Sequence, residues 1–149
     1  MVIELKKNAD VFDLIEQMHI HFGMHLDQGM ILADLFTTEN CCQSSKLVWD
    51  YLRTLNYRAD EAKQIIQTPY RLTRTQTGDC KSFSIFAASI MAALGNPVRF
   101  VYTCNAPDGM WHVYTQVKCG CGIRTIDGTI NEYNFEVPAK NKYIGEWMQ

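Results

Sequence analysis

Cys80, His112 and Asp127 are the residues whose types and order point to chemistry in this chain of 149 residues. Cys80 stands in Gly78-Asp79-Cys80-Lys81, just past a glycine break and at the head of an apolar stretch. The first turn of a helix has unpaired N–H groups and the positive end of the helix dipole. A thiol placed there loses its proton more readily, and the thiolate is the nucleophile. Asp79 works against this, because its charge raises the thiol pKa. His112 in Trp111-His112-Val113 and Asp127 in Thr125-Ile126-Asp127-Gly128 follow downstream. A thiol, a base to take its proton and a carboxylate to orient that base form the set a thiol acyl transferase needs. Singly, each has an ordinary explanation: a small buried hydrophobe, a structural hydrogen bond, a turn aspartate. Their combination, with the cysteine at a helix start, favours the catalytic reading.

The elements that must position these residues are legible as patterns. Val11, Leu14, Ile15, Met18 and Phe22 fall on one helical face, with Asp10 as cap and Gly23 as stop. A second helix is expected over about residues 28–36 and a third over about 40–56, with Val48, Tyr51, Leu52 and Leu55 on one face. A turn at 55–60 leads into a short segment ending before Pro69. Asp79 caps the next helix, which carries Phe83, Phe86, Ala87, Ile90 and Leu94 on one face. Gly95 closes it and Pro97 prevents its continuation. The period then changes from about 3.6 to about 2. Strands are expected at 98–104, 110–118 and 123–127, with a turn at 105–109, a tight reversal at 119–122 and one more strand near 133–137. Helices followed by a small antiparallel meander make the fold class α+β.

The last hairpin brings the base and the carboxylate together. A two-residue turn at Cys119-Gly120 places His112 opposite Asp127; a turn at Gly120-Cys121, with glycine first as type II′ prefers, shifts the pairing by two. In both registers His112 and Asp127 project from one face of the sheet. A three-residue loop with a bulge weakens the argument.

Two stretches carry a family resemblance: Gly78-Asp79-Cys80-Lys81-Ser82-Phe83 and Ala92-Ala93-Leu94-Gly95-Asn96-Pro97-Val98-Arg99. The chain resembles the transglutaminase-like superfamily, with its Gly-x-Cys at a helix head and its Leu-Gly-x-Pro exit into a strand. His112 to Val117 and Asp127-Gly128-Thr129 are similar to its histidine and aspartate strands, at gaps of 32 and 15 residues. Trp49-Asp50-Tyr51 and Asn56-Tyr57-Arg58-Ala59-Asp60 resemble the helix and turn before its nucleophile. The resemblance covers about residues 45–130, leaves 1–40 as a helical extension of a single domain, and is to small bacterial or phage members. It implies a papain-like core in which Cys80 is nucleophile, His112 general base and acid, and Asp127 orienter. It implies no cofactor. The Cys80 N–H is one donor for a tetrahedral oxyanion. Gln76 and Trp49 are candidates for the second; Trp49 resembles the indole donor of true transglutaminases, and a core tryptophan is its alternative.

Composition bounds the remaining readings. The apolar fraction of 47% supports one core, and a net charge of −2 gives no reason to invoke nucleic acid or an anionic membrane. No apolar run approaches the roughly 18 residues of a membrane span, and the N-terminus shows no signal peptide, so a cytoplasmic setting is expected. The six cysteines are then expected to be reduced. Cys41, Cys42, Cys119 and Cys121 form a rival zinc set without Cys-x-x-Cys spacing, and structural thiols are the preferred reading. His19, His21 and His25 read as a solvated helix end, so no metal site is expected. The expected function is Cys80-dependent acyl transfer on a peptide or protein amide, by hydrolysis rather than crosslinking. A non-catalytic binding or assembly domain on the same fold is the alternative.

Overall fold

The computed structural model describes residues 3–5, 11–59, 64–105 and 110–149. In chain order these form β1 (Ile3–Leu5), α1 (Val11–Leu32), a 3-10 turn (Ala33–Phe36), α2 (Cys41–Thr54) and β2 (Asn56–Tyr57). They continue with β3 (Gln64–Ile66), α3 (Pro69–Thr75), β4 (Thr77–Gly78), α4 (Cys80–Ala93), β5 (Val98–Cys104), β6 (His112–Cys119), β7 (Gly122–Ile126) and β8 (Asn141–Ile144). The class is α+β, as expected. The main sheet is antiparallel with strand order β7-β6-β5-β8, and two short ribbons, β1-β3 and β2-β4, lie outside it.

Helix α4 is the centre of the molecule. Every residue from Cys80 to Met91 is buried, because α1 packs on one side, β6 on another, and α2 and α3 close the rest. A helix enclosed on all sides must be apolar or small all round. Ser84 is accommodated by bonding outward: its Oγ donates to Val113 O at 3.1 Å, and Thr115 Oγ1 donates to Ser84 O at 2.9 Å. These two bonds hold α4 against the start of β6, where His112 stands.

Gly23 does not stop α1, which runs on to Leu32 and absorbs the first part of the helix expected at 28–36. The buried face continues through His21, Phe22, His25 and Gly29, and that tertiary contact outweighs the modest helix cost of one glycine. Gly29 is required: a Cβ there would lie 2.5 Å from Ser89 O of α4. The cap expected at Asp10 and residues 106–109 of the turn lie outside the described residues. Helix α3 was not anticipated; Thr68 caps it by accepting from Arg71 N, and Pro69 occupies its first turn. Residues 133–137 form no strand. The fourth strand of the sheet is β8, exposed along its length, so no alternation of apolar residues announces it.

The β6–β7 hairpin takes the Gly120-Cys121 register, pairing Cys119 with Gly122 and Thr115 with Ile126. The positive φ falls on Gly122 (119°) rather than Gly120, so the turn is not type II′. Reduced thiols were expected at four positions where the structure has disulfides: Cys41–Cys119 and Cys42–Cys121, with Cα–Cα distances of 5.4 and 6.5 Å. The start of α2 docks on the hairpin tip, bringing both pairs within disulfide reach. Cys80 and Cys104 are free thiols. No helix among the described residues is long and apolar enough to cross a membrane.

Candidate active site

Cys80 is the first residue of α4 and is 6% exposed. Asp79 caps the helix: its Oδ1 accepts from Lys81 N (3.0 Å) and Ser82 N (3.2 Å). Its Oδ2 pairs with Lys81 Nζ at 2.7 Å, and both side chains are buried. The carboxylate expected to oppose a thiolate is thus balanced by an ammonium from the residue on the other side of Cys80.

His112 opens β6, and Asp127 directly follows β7. The Gly120-Cys121 register makes them diagonal neighbours on one sheet face, and His112 Nε2 lies 2.7 Å from Asp127 Oδ2. With Nε2 committed to Asp127, Nδ1 is the ring nitrogen left for the Cys80 thiol, which lines the same cleft. Burial opposes charging of His112, but its bonds to Asp127 and Cys80, and their negative charge, outweigh that and raise its pKa to about 10. Burial likewise opposes ionisation of Asp127; its hydrogen bond to protonated His112 prevails and holds the carboxyl below the usual range.

Asp127 is fixed from both ends. Its Oδ1 accepts from Thr129 N (3.1 Å) and Thr129 Oγ1 (2.7 Å), an Asx-turn. Its backbone carbonyl accepts from Trp49 Nε1 at 3.0 Å, and Arg53 Nη1 donates to Gly128 O at 3.1 Å. Helix α2 therefore grips the turn that carries the carboxylate. Gly128 permits this, since a Cβ there would lie 2.7 Å from Leu52 Cβ.

A cleft of about 200 Å³ opens over Cys80 and His112, walled by Tyr57, Ala59, Met110 and Trp111 with Asp79 and Lys81 at its base. Neither expected second oxyanion donor borders it. Gln76 caps α3 in a left-handed conformation (φ 58°), and its Nε2 donates to Thr73 O (2.5 Å) and Tyr51 Oη (3.3 Å). The Trp49 indole N–H is committed to Asp127 O, so Trp49 acts on the carboxylate's position instead.

The residue the sequence reading passed over is Tyr57. Parallel pairing of β2 with β4 sets Tyr57 opposite Gly78, and Arg58 N donates to Gly78 O at 2.9 Å. The ring rests edge-on against Phe83 of α4 (6.1 Å between centroids). Burial, then the charges of Cys80, Asp79 and Asp127, push the phenol upward, so it keeps its proton. A two-residue strand has no periodicity to read, and the pairing that delivers Tyr57 spans 21 residues.

Comparisons with known proteins agree with this fold. The family model described as the transglutaminase-like superfamily matches residues 35–128. The chain belongs to that superfamily, whose members are often cysteine peptidases or acyltransferases. No curated protein matches it significantly in sequence. A candidate cysteine protease from Cytophaga hutchinsonii is similar in structure, with a TM-score of 0.55, 17% identity, and coverage of 86% of this chain and 48% of that one. A candidate protease from Parabacteroides distasonis has a TM-score of 0.54 and 10% identity, over 71% of this chain and 25% of that one. These likenesses establish the fold, and the chain spans a quarter to about half the length of these relatives.

Proposed function

We propose that this member of the transglutaminase-like superfamily is a cysteine-dependent acyl-transfer enzyme that hydrolyses an amide of a peptide or protein. The observation that carries the reading is that Cys80 and His112 line one open cleft while His112 Nε2 is held by Asp127 Oδ2 at 2.7 Å. This geometry supports the roles of nucleophile for Cys80, base for His112 and orienter for Asp127.

In this scheme the Cys80 proton has already passed to His112, and Cys80 Sγ attacks the carbonyl carbon as the thiolate of an ion pair with the imidazolium. The C=O π pair moves to oxygen and leaves an oxyanion. The Cys80 N–H, which lies in the first helical turn and so lacks a helical acceptor, and the Tyr57 O–H are its donors. The C–N bond then breaks, and His112 gives its proton to the departing amine. A thioester remains on Cys80. Water attacks it, His112 takes the water proton, and the acid leaves as the thiolate re-forms. Asp127 holds the imidazole in one orientation and stabilises its charged form throughout. The scheme uses neither nucleic acid nor membrane.

The test is the alkylation rate of each free thiol against pH, mapped by peptide, in wild type and His112→Ala. Cys80 is expected to react faster than Cys104 well below about pH 8, the ordinary thiol range, and His112→Ala is expected to remove that advantage. A Cys80 that reacts no faster than Cys104 overturns the catalytic reading and leaves a binding or assembly domain.

A further inference from the structure

Four of the five cysteines outside the candidate active site, all but Cys104, meet at one corner of the molecule. Asn40 caps α2 by accepting from Gln43 N at 2.9 Å, so Cys41 and Cys42 are the first two residues of the helix. Cys119 ends β6 and Cys121 stands at the hairpin tip, flanking Gly120. Two disulfides would need only two pairs of sulfurs. Here the pairs lie side by side, and the sulfurs of Cys42, Cys119 and Cys121 are all within 4.8 Å of one another, with Cys41 bonded to Cys119.

We propose that the reduced form of this corner is a tetrathiolate site for a borderline-soft divalent ion of the zinc class, held by Cys41, Cys42, Cys119 and Cys121. Tetrahedral zinc with Zn–S bonds of about 2.3 Å spaces its sulfurs at ~3.8 Å; three of the sulfurs already lie within 4.8 Å of one another, and opening the two S–S bonds frees them and the Cys41 sulfur, now bonded to Cys119, to take up that spacing. A Zn–thiolate set of four carries a net charge of −2, and its surroundings suit that charge. Two ligands stand in the first turn of a 14-residue helix, at the positive end of its dipole. Arg124 Nε donates to Cys121 Sγ at 3.0 Å. An adjoining cavity of about 500 Å³, lined by Cys42, Lys46 and Arg124 among others, sets two cationic side chains near the sulfurs.

Loading balances as follows. Two molecules of a dithiol reductant each pass two electrons and two protons to a disulfide and close to their own disulfide, which leaves four thiols. Zinc then displaces four protons and forms four Zn–S bonds. Both states fasten the start of α2 to the β6–β7 hairpin, so the grip of α2 on Asp127 is kept in either.

The test is a titration of the reduced full chain with zinc against a chromophoric chelator, repeated with cobalt to read tetrahedral thiolate absorption. One ion per reduced chain, none on the disulfide form, and loss of binding in Cys121→Ser are expected. Cys121 is exposed, and retention of the far-ultraviolet spectrum checks that the variant folds. The Cys80→Ala variant is expected to bind as wild type. A reduced chain that takes up no stoichiometric ion overturns the proposal. So does binding that survives both Cys42→Ser and Cys121→Ser, or that is lost in Cys80→Ala.

Discussion

Two helices of this protein begin alike and end up doing different things. Asp79 caps α4 and is followed by Cys80; Asn40 caps α2 and is followed by Cys41 and Cys42. In both, a thiol meets the same strand. β6 offers His112 at its first residue to Cys80 and Cys119 at its last to Cys41. A helix start is favourable to a thiolate at either place. What separates the two is the partner that the far element presents. An imidazole braced by Asp127 makes a proton relay, whereas a second pair of thiols makes a staple. A cysteine at a helix head is thus a precondition for chemistry, and the docked strand decides which chemistry follows.

Three experiments bear on this contrast. The largest expected effect is at the relay. Asp127→Asn is expected to lower kcat by about 10³–10⁴-fold once a substrate is in hand, and to slow Cys80 alkylation near neutral pH. An Asp127→Asn enzyme with unchanged alkylation would show that the carboxylate does not brace the base.

A middle effect is expected at the staple. Replacing Cys41, Cys42, Cys119 and Cys121 together by serine opens the loops of 78 and 79 residues that they close and is expected to cost about 2–4 kcal/mol in urea unfolding. Cys80 is expected to react as in wild type. If Cys80 slows in step with the lost stability, the two ends of β6 are one coupled unit and the contrast fails.

The smallest effect is on stability against pH. The folded pKa of His112, about 10, lies above its ordinary 6.5. The imidazolium therefore contributes stability that is complete below pH 6.5 and is lost as pH rises towards 10. The melting temperature is expected to fall by a few degrees across that window, on the order of 1 kcal/mol, and to fall less in His112→Ala. A wild-type curve as flat as the variant's would mean that His112 gains nothing from its two partners. His21 gives the opposite sign at the acid end. Burial, then the neighbouring His25, lowers its pKa to about 4, so the stability of the neutral ring is lost as pH falls below 6.5.

Much of this was determined by sequence alone, because it depends on local geometry. Asn40 and Asp79 each place a hydrogen-bond acceptor beside unpaired helical N–H groups, and Gly95, at φ 93°, supplies the left-handed residue that ends α4. The two-residue period of β6 and β7 puts His112 and Asp127 on one face in either turn register. Tertiary structure decided what local pattern does not encode. Helix α1 runs past Gly23 because α4 covers its continuing face. Tyr57 reaches the cleft only through a parallel pairing with Gly78. Trp49 turns from an oxyanion candidate into a brace because the Asp127 carbonyl lies within its reach. The four outlying cysteines become partners across 78 and 79 residues only once α2 docks on the hairpin tip. Contacts at such separation arise from the packing of whole elements, and spacing along the chain does not reveal them.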